Sequence, residues 1–279
     1  MTLDSTTPVP IQLSTPHLIR QRVILTLACV ICIGLTMWLG RVLHIPAERG
    51  VAGTIMQQPG WPLAIALAWM VLIGGSLLAA VFTIGLHEEA GLFSAAVGLA
   101  GLSVMFGPMH YVLFASKSSS VYLLMALELF LLGIAVQIAF LMRRMWARTM
   151  PEIPSPAEQN LLASAVHAVI MCILVMLLCQ SDAKPQALFS VAVAAYVAAI
   201  ATQYISPTTG AWICAGPTLA GVFGFCMQYF AATDMVIGDP RNLFAALARP
   251  LPLDYASLGT AGALLGFWTA RKWQAEDME

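Results

Sequence analysis

The chain has 279 residues, 59% of them apolar and 10% charged, with a net charge of −1 and a mean hydropathy of +0.83. Soluble domains run near about 45–50% apolar and about 25% charged. The composition therefore excludes an ordinary soluble globule and makes lipid the solvent for most of the chain. Near-neutral charge also removes the basic surface that nucleic acid requires and any acidic tail for a basic partner.

Residues 1–22 are polar and proline-dotted, and read as a disordered tail ending in Arg20 and Arg22. The apolar run that follows continues without a small-residue cleavage site, so 23–40 is expected to be a retained first span rather than a signal peptide. Crossing the hydrocarbon takes about 20 helical residues. On that ruler further spans lie near 62–86, 91–114, 121–142, 159–180, 186–205, 211–231 and 255–271. An all-α polytopic bundle of eight transmembrane helices follows, its domain running over 23–272 and ending in a short polar tail, 273–279. Seven spans remain open, because Gly216-Pro217 interrupts the seventh.

Several edges carry helix signals. Ser155-Pro156-Ala157-Glu158 has the pattern of a capping box, and Pro62 and Pro185 sit where first helical turns belong. The stretch DPRNLFAALARPLPLD, after the seventh span, can form a short helix with Leu243, Phe244 and Leu247 on one face. It is expected either to lie in the membrane interface or to be an irregular loop. The basic, proline-rich stretch 143–158 divides the chain into two sets of four spans, with no internal repeat. Arg143-Arg144 with Arg148, and Arg271-Lys272, lie at span ends and favour a cytoplasmic position for both termini. The expected location is a bacterial cytoplasmic membrane.

Lipid does not drive helices together, so small residues must let them approach. At spacings of three and four, such seams run through Gly91, Ser94, Gly98 and Gly101, and through Ala192, Ala195, Ala199 and Thr202. Others run through Gly210, Cys214, Pro217, Gly221 and Gly224, and through Gly259, Gly262 and Gly266. The third, sixth, seventh and eighth spans are therefore expected inside the bundle. Partners would be the bilayer itself, and other membrane proteins or a second copy meeting glycine-rich faces. The six cysteines all fall in apolar stretches, where small polarizable side chains pack, and neither a disulfide scaffold nor a metal ribbon fits them. No cofactor or metal is expected.

Ionisable groups at membrane depth are costly and mark candidate sites. Glu128 falls in the fourth span and His110 near the end of the third, close enough in topology to pair. His87, Glu88 and Glu89 make an interfacial cluster in the turn before the third span, and His167 enters the fifth span from that side. Each has a structural alternative: a buried hydrogen bond for Glu128 and His110, a solvated turn for the cluster, a backbone contact for His167. Bis-histidine haem does not fit, since His110 and His167 lie at opposite depths. Glu88-Glu89 followed by Phe106-x-x-x-His110 resembles two fragments of the intramembrane CAAX-prenyl-type proteases, in which such residues activate a water near the interface. The resemblance would imply a hydrolytic role for Glu88, Glu89 and His110. It departs from the pattern in lacking the arginine after the glutamates, in its short spacing, and in placing the two fragments at opposite faces.

Two functions follow. The first is a non-enzymatic membrane component or complex subunit. The second is a small transporter or channel with a polar path through Glu128 and His110.

Overall fold

The computed structural model describes residues 15–42, 54–57, 60–82, 89–116, 118–147, 156–231 and 244–277. The described residues are helical with no strand, as an all-α bundle requires. In chain order they form α1 (Thr15–Val42), a 3₁₀ turn (Ile55–Gln57), and α2 (Trp61–Trp69), which a π turn (Met70–Gly74) joins to α3 (Gly75–Phe82). Next come α4 (Ala90–Met105), α5 (Met109–Ser116), α6 (Ser120–Ala147), α7 (Ala157–Leu178), α8 (Lys184–Ile205) and α9 (Gly210–Ala231). Two short helices, α10 (Ala245–Ala248) and α11 (Pro252–Asp254), lead through a π turn (Tyr255–Gly259) into α12 (Thr260–Glu276).

Among the described residues, six stretches are long and apolar enough to cross a membrane: Ile19–Arg41, Trp61–Val81, Ser120–Met145, Ala157–Leu178, Lys184–Ile205 and Gly210–Ala231. The chain is a multi-pass membrane protein. The expected third and eighth spans differ from these six for separate physical reasons. The third breaks after Met105, where Phe106 turns to extended backbone (ψ 141°) ahead of Gly107-Pro108. Proline has no N–H to donate and pushes the residue before it out of the helical region. The eighth runs without a gap from Pro252 to Glu276, but Asp254, Ser257, Thr260 and its glycines dilute its apolar character. Those residues are buried among other helices, so lipid never has to solvate them.

Other expectations shift at their edges. α1 begins at Thr15, so the last eight residues of the expected tail are helical. α7 starts at Ala157, one residue later than the capping-box pattern Ser155-Pro156-Ala157-Glu158 implies, with Pro156 as its N-cap and no side-chain cap bond; Ser155 lies outside the described residues. Pro217 is accommodated inside an unbroken α9. The expected interfacial helix is shorter and turned inward: Leu247 is fully buried, and Asp239, Pro240 and Leu243 lie outside the described residues.

The glycine seams hold the interior. A methyl group on Gly262 or Gly266 would fall on the carbonyl oxygens of Ala192 and Tyr196, which is why α12 lies directly on α8. On α4, Gly91 meets the Ser76 carbonyl of α3, and Gly98 lies against Cys32 of α1. Thr36 of α1 donates its hydroxyl to the Gly98 carbonyl at 2.6 Å across that seam. α9 is central, joined to α7 where Ser164 donates to the Trp212 carbonyl (2.8 Å) and to α6 where Gln137 donates to the Ala211 carbonyl (3.0 Å). α1 is peripheral: 17% of its most apolar window is buried, against 50% for α6, α8 and α9.

Candidate functional site

Side-chain bonds between distant segments sort the polar residues into two ends and a middle. One end collects Glu89, Asn160, Gln203, Thr208, Trp268 and Gln274. The other collects Ser103, Cys179, Lys184, Arg249 and Asp254, with Glu128 and the 54–57 segment beside α6's first turns.

Glu128, about two turns into α6, is 1% exposed, and its Oε2 accepts the Met56 N–H at 3.0 Å. The carboxylate therefore seats the short 3₁₀ turn against the bundle. His110 is exposed on α5, in the stretch between Ser103 and Ser120. Of the expected interfacial cluster, His87 and Glu88 lie outside the described residues. Glu89 is not a solvated turn residue. It is buried at the head of α4, where its Oε2 accepts the Trp268 indole N–H (3.1 Å) from α12, and the Trp268 ring packs on Phe93.

The two protease-like fragments do not meet. α4, with 16 residues, holds Glu89 and Phe106 roughly 24 Å apart at about 1.5 Å per residue. That separation removes a shared hydrolytic site for Glu89 and His110.

His167 sits midway along α7, fully buried, with neither ring nitrogen hydrogen-bonded. Its side chain lies against Gly216, where any Cβ would overlap Cδ2 and Cγ. Pro217 follows at once, so α9 has no N–H at that position to satisfy the Ile213 carbonyl. An unpartnered buried polar group costs roughly 1–3 kcal/mol. His167 is the one candidate that the described structure leaves without a bond, and it sits where α9 is locally weakened.

A buried carboxylate outside the sequence candidates, Asp254, gathers three bonds from three segments. Asp254 is fully buried; its Oδ1 accepts the Lys184 ammonium at 2.6 Å and the Ser103 hydroxyl, while its Oδ2 accepts the Leu251 N–H at 2.8 Å. Beside it, the Arg249 guanidinium donates to the Cys179 carbonyl (2.5 Å) and pairs with Asp182 (3.2 Å). The signal was present in the sequence. Two short connections at one expected face carry opposite charges, Asp182 and Lys184 in one, Arg249 and Asp254 in the other.

Among the described residues no group of three or more His, Cys, Asp or Glu could hold a metal ion. All six cysteines are free thiols. Comparison with protein families, with curated proteins and with solved structures finds no match to this chain.

Proposed function

We propose that this multi-pass membrane protein is a non-enzymatic membrane component, a subunit or scaffold. The carrying observation is the use made of the three carboxylates buried among the described residues. Glu89 binds α12, Glu128 binds the 54–57 turn, and Asp254 binds α4 and α8. A catalytic or transporting carboxylate has to face a substrate, whereas each of these faces another segment of its own chain. The basic clusters fit a cytoplasmic position for both termini, which eight crossings would allow, and the proposed setting is a bacterial cytoplasmic membrane.

Partners would be membrane proteins or a second copy. The glycine seams are largely occupied within the bundle, but Gly34 of α1 has open space around it, on the most lipid-exposed helix. That face is where another helix would pack closely. The test is the mass of the particle extracted in mild detergent. An assembly larger than the 29.9 kDa chain is expected, and monomer alone would count against the proposal.

A transport reading draws its support from His167, a buried imidazole without a partner beside a proline in a membrane helix. Transporters often place discontinuous helices at mid-membrane sites. Reconstituted vesicles decide between the two. Proton or solute flux that is lost in both Glu128→Gln and His167→Ala, with the fold retained, would replace the scaffold reading with the transport one.

A further inference from the structure

The segment 244–254 reaches into the bundle. Ala246, Leu247 and Ala248 are buried, and Leu247 lies against Gly224, seven residues before Ala231 on α9. That depth is roughly 10 Å at about 1.5 Å per residue. The Leu247 carbonyl, which has only a short helix to bond within, accepts the Tyr255 hydroxyl at 2.8 Å. Irregular backbone at such depth persists only where protein shields it.

Its charges are matched to a single connection. The segment supplies a cation and an anion, Arg249 and Asp254; the α7–α8 connection and the head of α8 supply an anion and a cation, Asp182 and Lys184. Each cation meets the anion of the other segment. Opposed pairs of reversed polarity fix one register, because sliding either segment brings like charges together. Beneath them lies Cys179, fully buried, its carbonyl bonded by Arg249.

We infer that residues 244–254 form a strap latched over the Asp254 end of the bundle by two reversed ion pairs, Arg249–Asp182 and Asp254–Lys184, and that the strap opens as a unit when either of its own charged side chains, Arg249 or Asp254, is replaced. The inference does not depend on the scaffold reading, since a latch of this kind serves a subunit or a transporter equally.

The native cysteines report on it. Cys179 lies beneath the strap, and Cys214, equally buried, lies within α9 toward the far end. The full chain in detergent is treated with N-ethylmaleimide, and alkylation of each cysteine is followed by peptide mass. In Asp254→Asn and in Arg249→Gln, Cys179 should react about tenfold faster or more, as local opening becomes more populated, while Cys214 stays protected. An unchanged Cys179 rate in the single variants overturns the inference. So does a rise at Cys179 and Cys214 together, which would mean that the pairs hold the whole fold and not a separable strap.

Discussion

The two ends of the bundle are closed by different chemistry. At the Asp254 end, closure rests on full charges: Lys184 against Asp254 and Arg249 against Asp182. At the Glu89 end it rests largely on neutral groups. Thr208 donates to the Asn160 side-chain oxygen (2.6 Å), Gln203 donates to the Thr208 carbonyl (3.0 Å), and Gln274 donates to the Gln203 carbonyl (3.1 Å). The carboxylate there, Glu89, accepts from the Trp268 indole. A neutral network tolerates the loss of one member, because each remaining group keeps another partner or reaches water. A buried charge left alone has no such recourse.

The difference between the ends is largest at Asp254. Replacing it with Leu leaves the Lys184 ammonium, 11% exposed, without its anion, and strips Ser103 and the Leu251 N–H of their acceptor. Losing one partner of a buried pair costs about 3–5 kcal/mol. Thermal denaturation of the detergent-extracted protein should show the largest loss of any substitution considered for these two ends. Lys184→Met together with Asp254→Leu should recover part of it, since no buried charge then remains. A double variant no more stable than Asp254→Leu would show that the pair contributes by something other than charge.

The neutral end should respond less. Asn160→Ala removes the acceptor of the Thr208 hydroxyl and should cost about 1 kcal/mol, near the upper part of the range for interhelical hydrogen bonds in membranes. A loss as large as that of Asp254→Leu would erase the distinction between the ends. Glu128→Gln should cost less again, under about 1 kcal/mol, because the amide oxygen can still accept the Met56 N–H. The same denaturation series measures all three.

How legible this was in the sequence depended on whether a feature was written locally. Helix type, most span positions and the seam residues were legible, because a small side chain at three- and four-residue spacing reports its packing directly. Gly98, Gly262 and Gly266 each meet backbone or Cβ atoms of the neighbouring helix, and Pro62 and Pro185 stand at helix starts. Ends set by tertiary shielding were not. The polar stretch around Asp254 reads as loop because its partners, Ser103 and Lys184, are 151 and 70 residues away. Glu89 reads as a solvated turn for the same reason, its indole partner being 179 residues away. His167 was found by residue type alone, and its contact with Gly216 depends on how α7 and α9 lie together.

Salt separates the two pairs within the charged end and gives the smallest expected effect. Asp182 is 45% exposed and Arg249 21%, so ions reach the Arg249–Asp182 pair, whereas Asp254 is almost wholly shielded at 1%. Exposed pairs contribute about 0–1 kcal/mol, and that contribution falls as the screening length shortens from about 10 Å at 0.1 M salt to about 3 Å at 1 M. Asp182→Asn should therefore lower thermal stability slightly at low salt and leave it unchanged near 1 M, while the loss in Asp254→Leu should persist at both. If the Asp182→Asn loss were as large at 1 M as at 0.1 M, the outer pair would have to be sealed from solvent like the inner one. The charged end would then be a single shielded unit rather than a buried pair with an exposed companion.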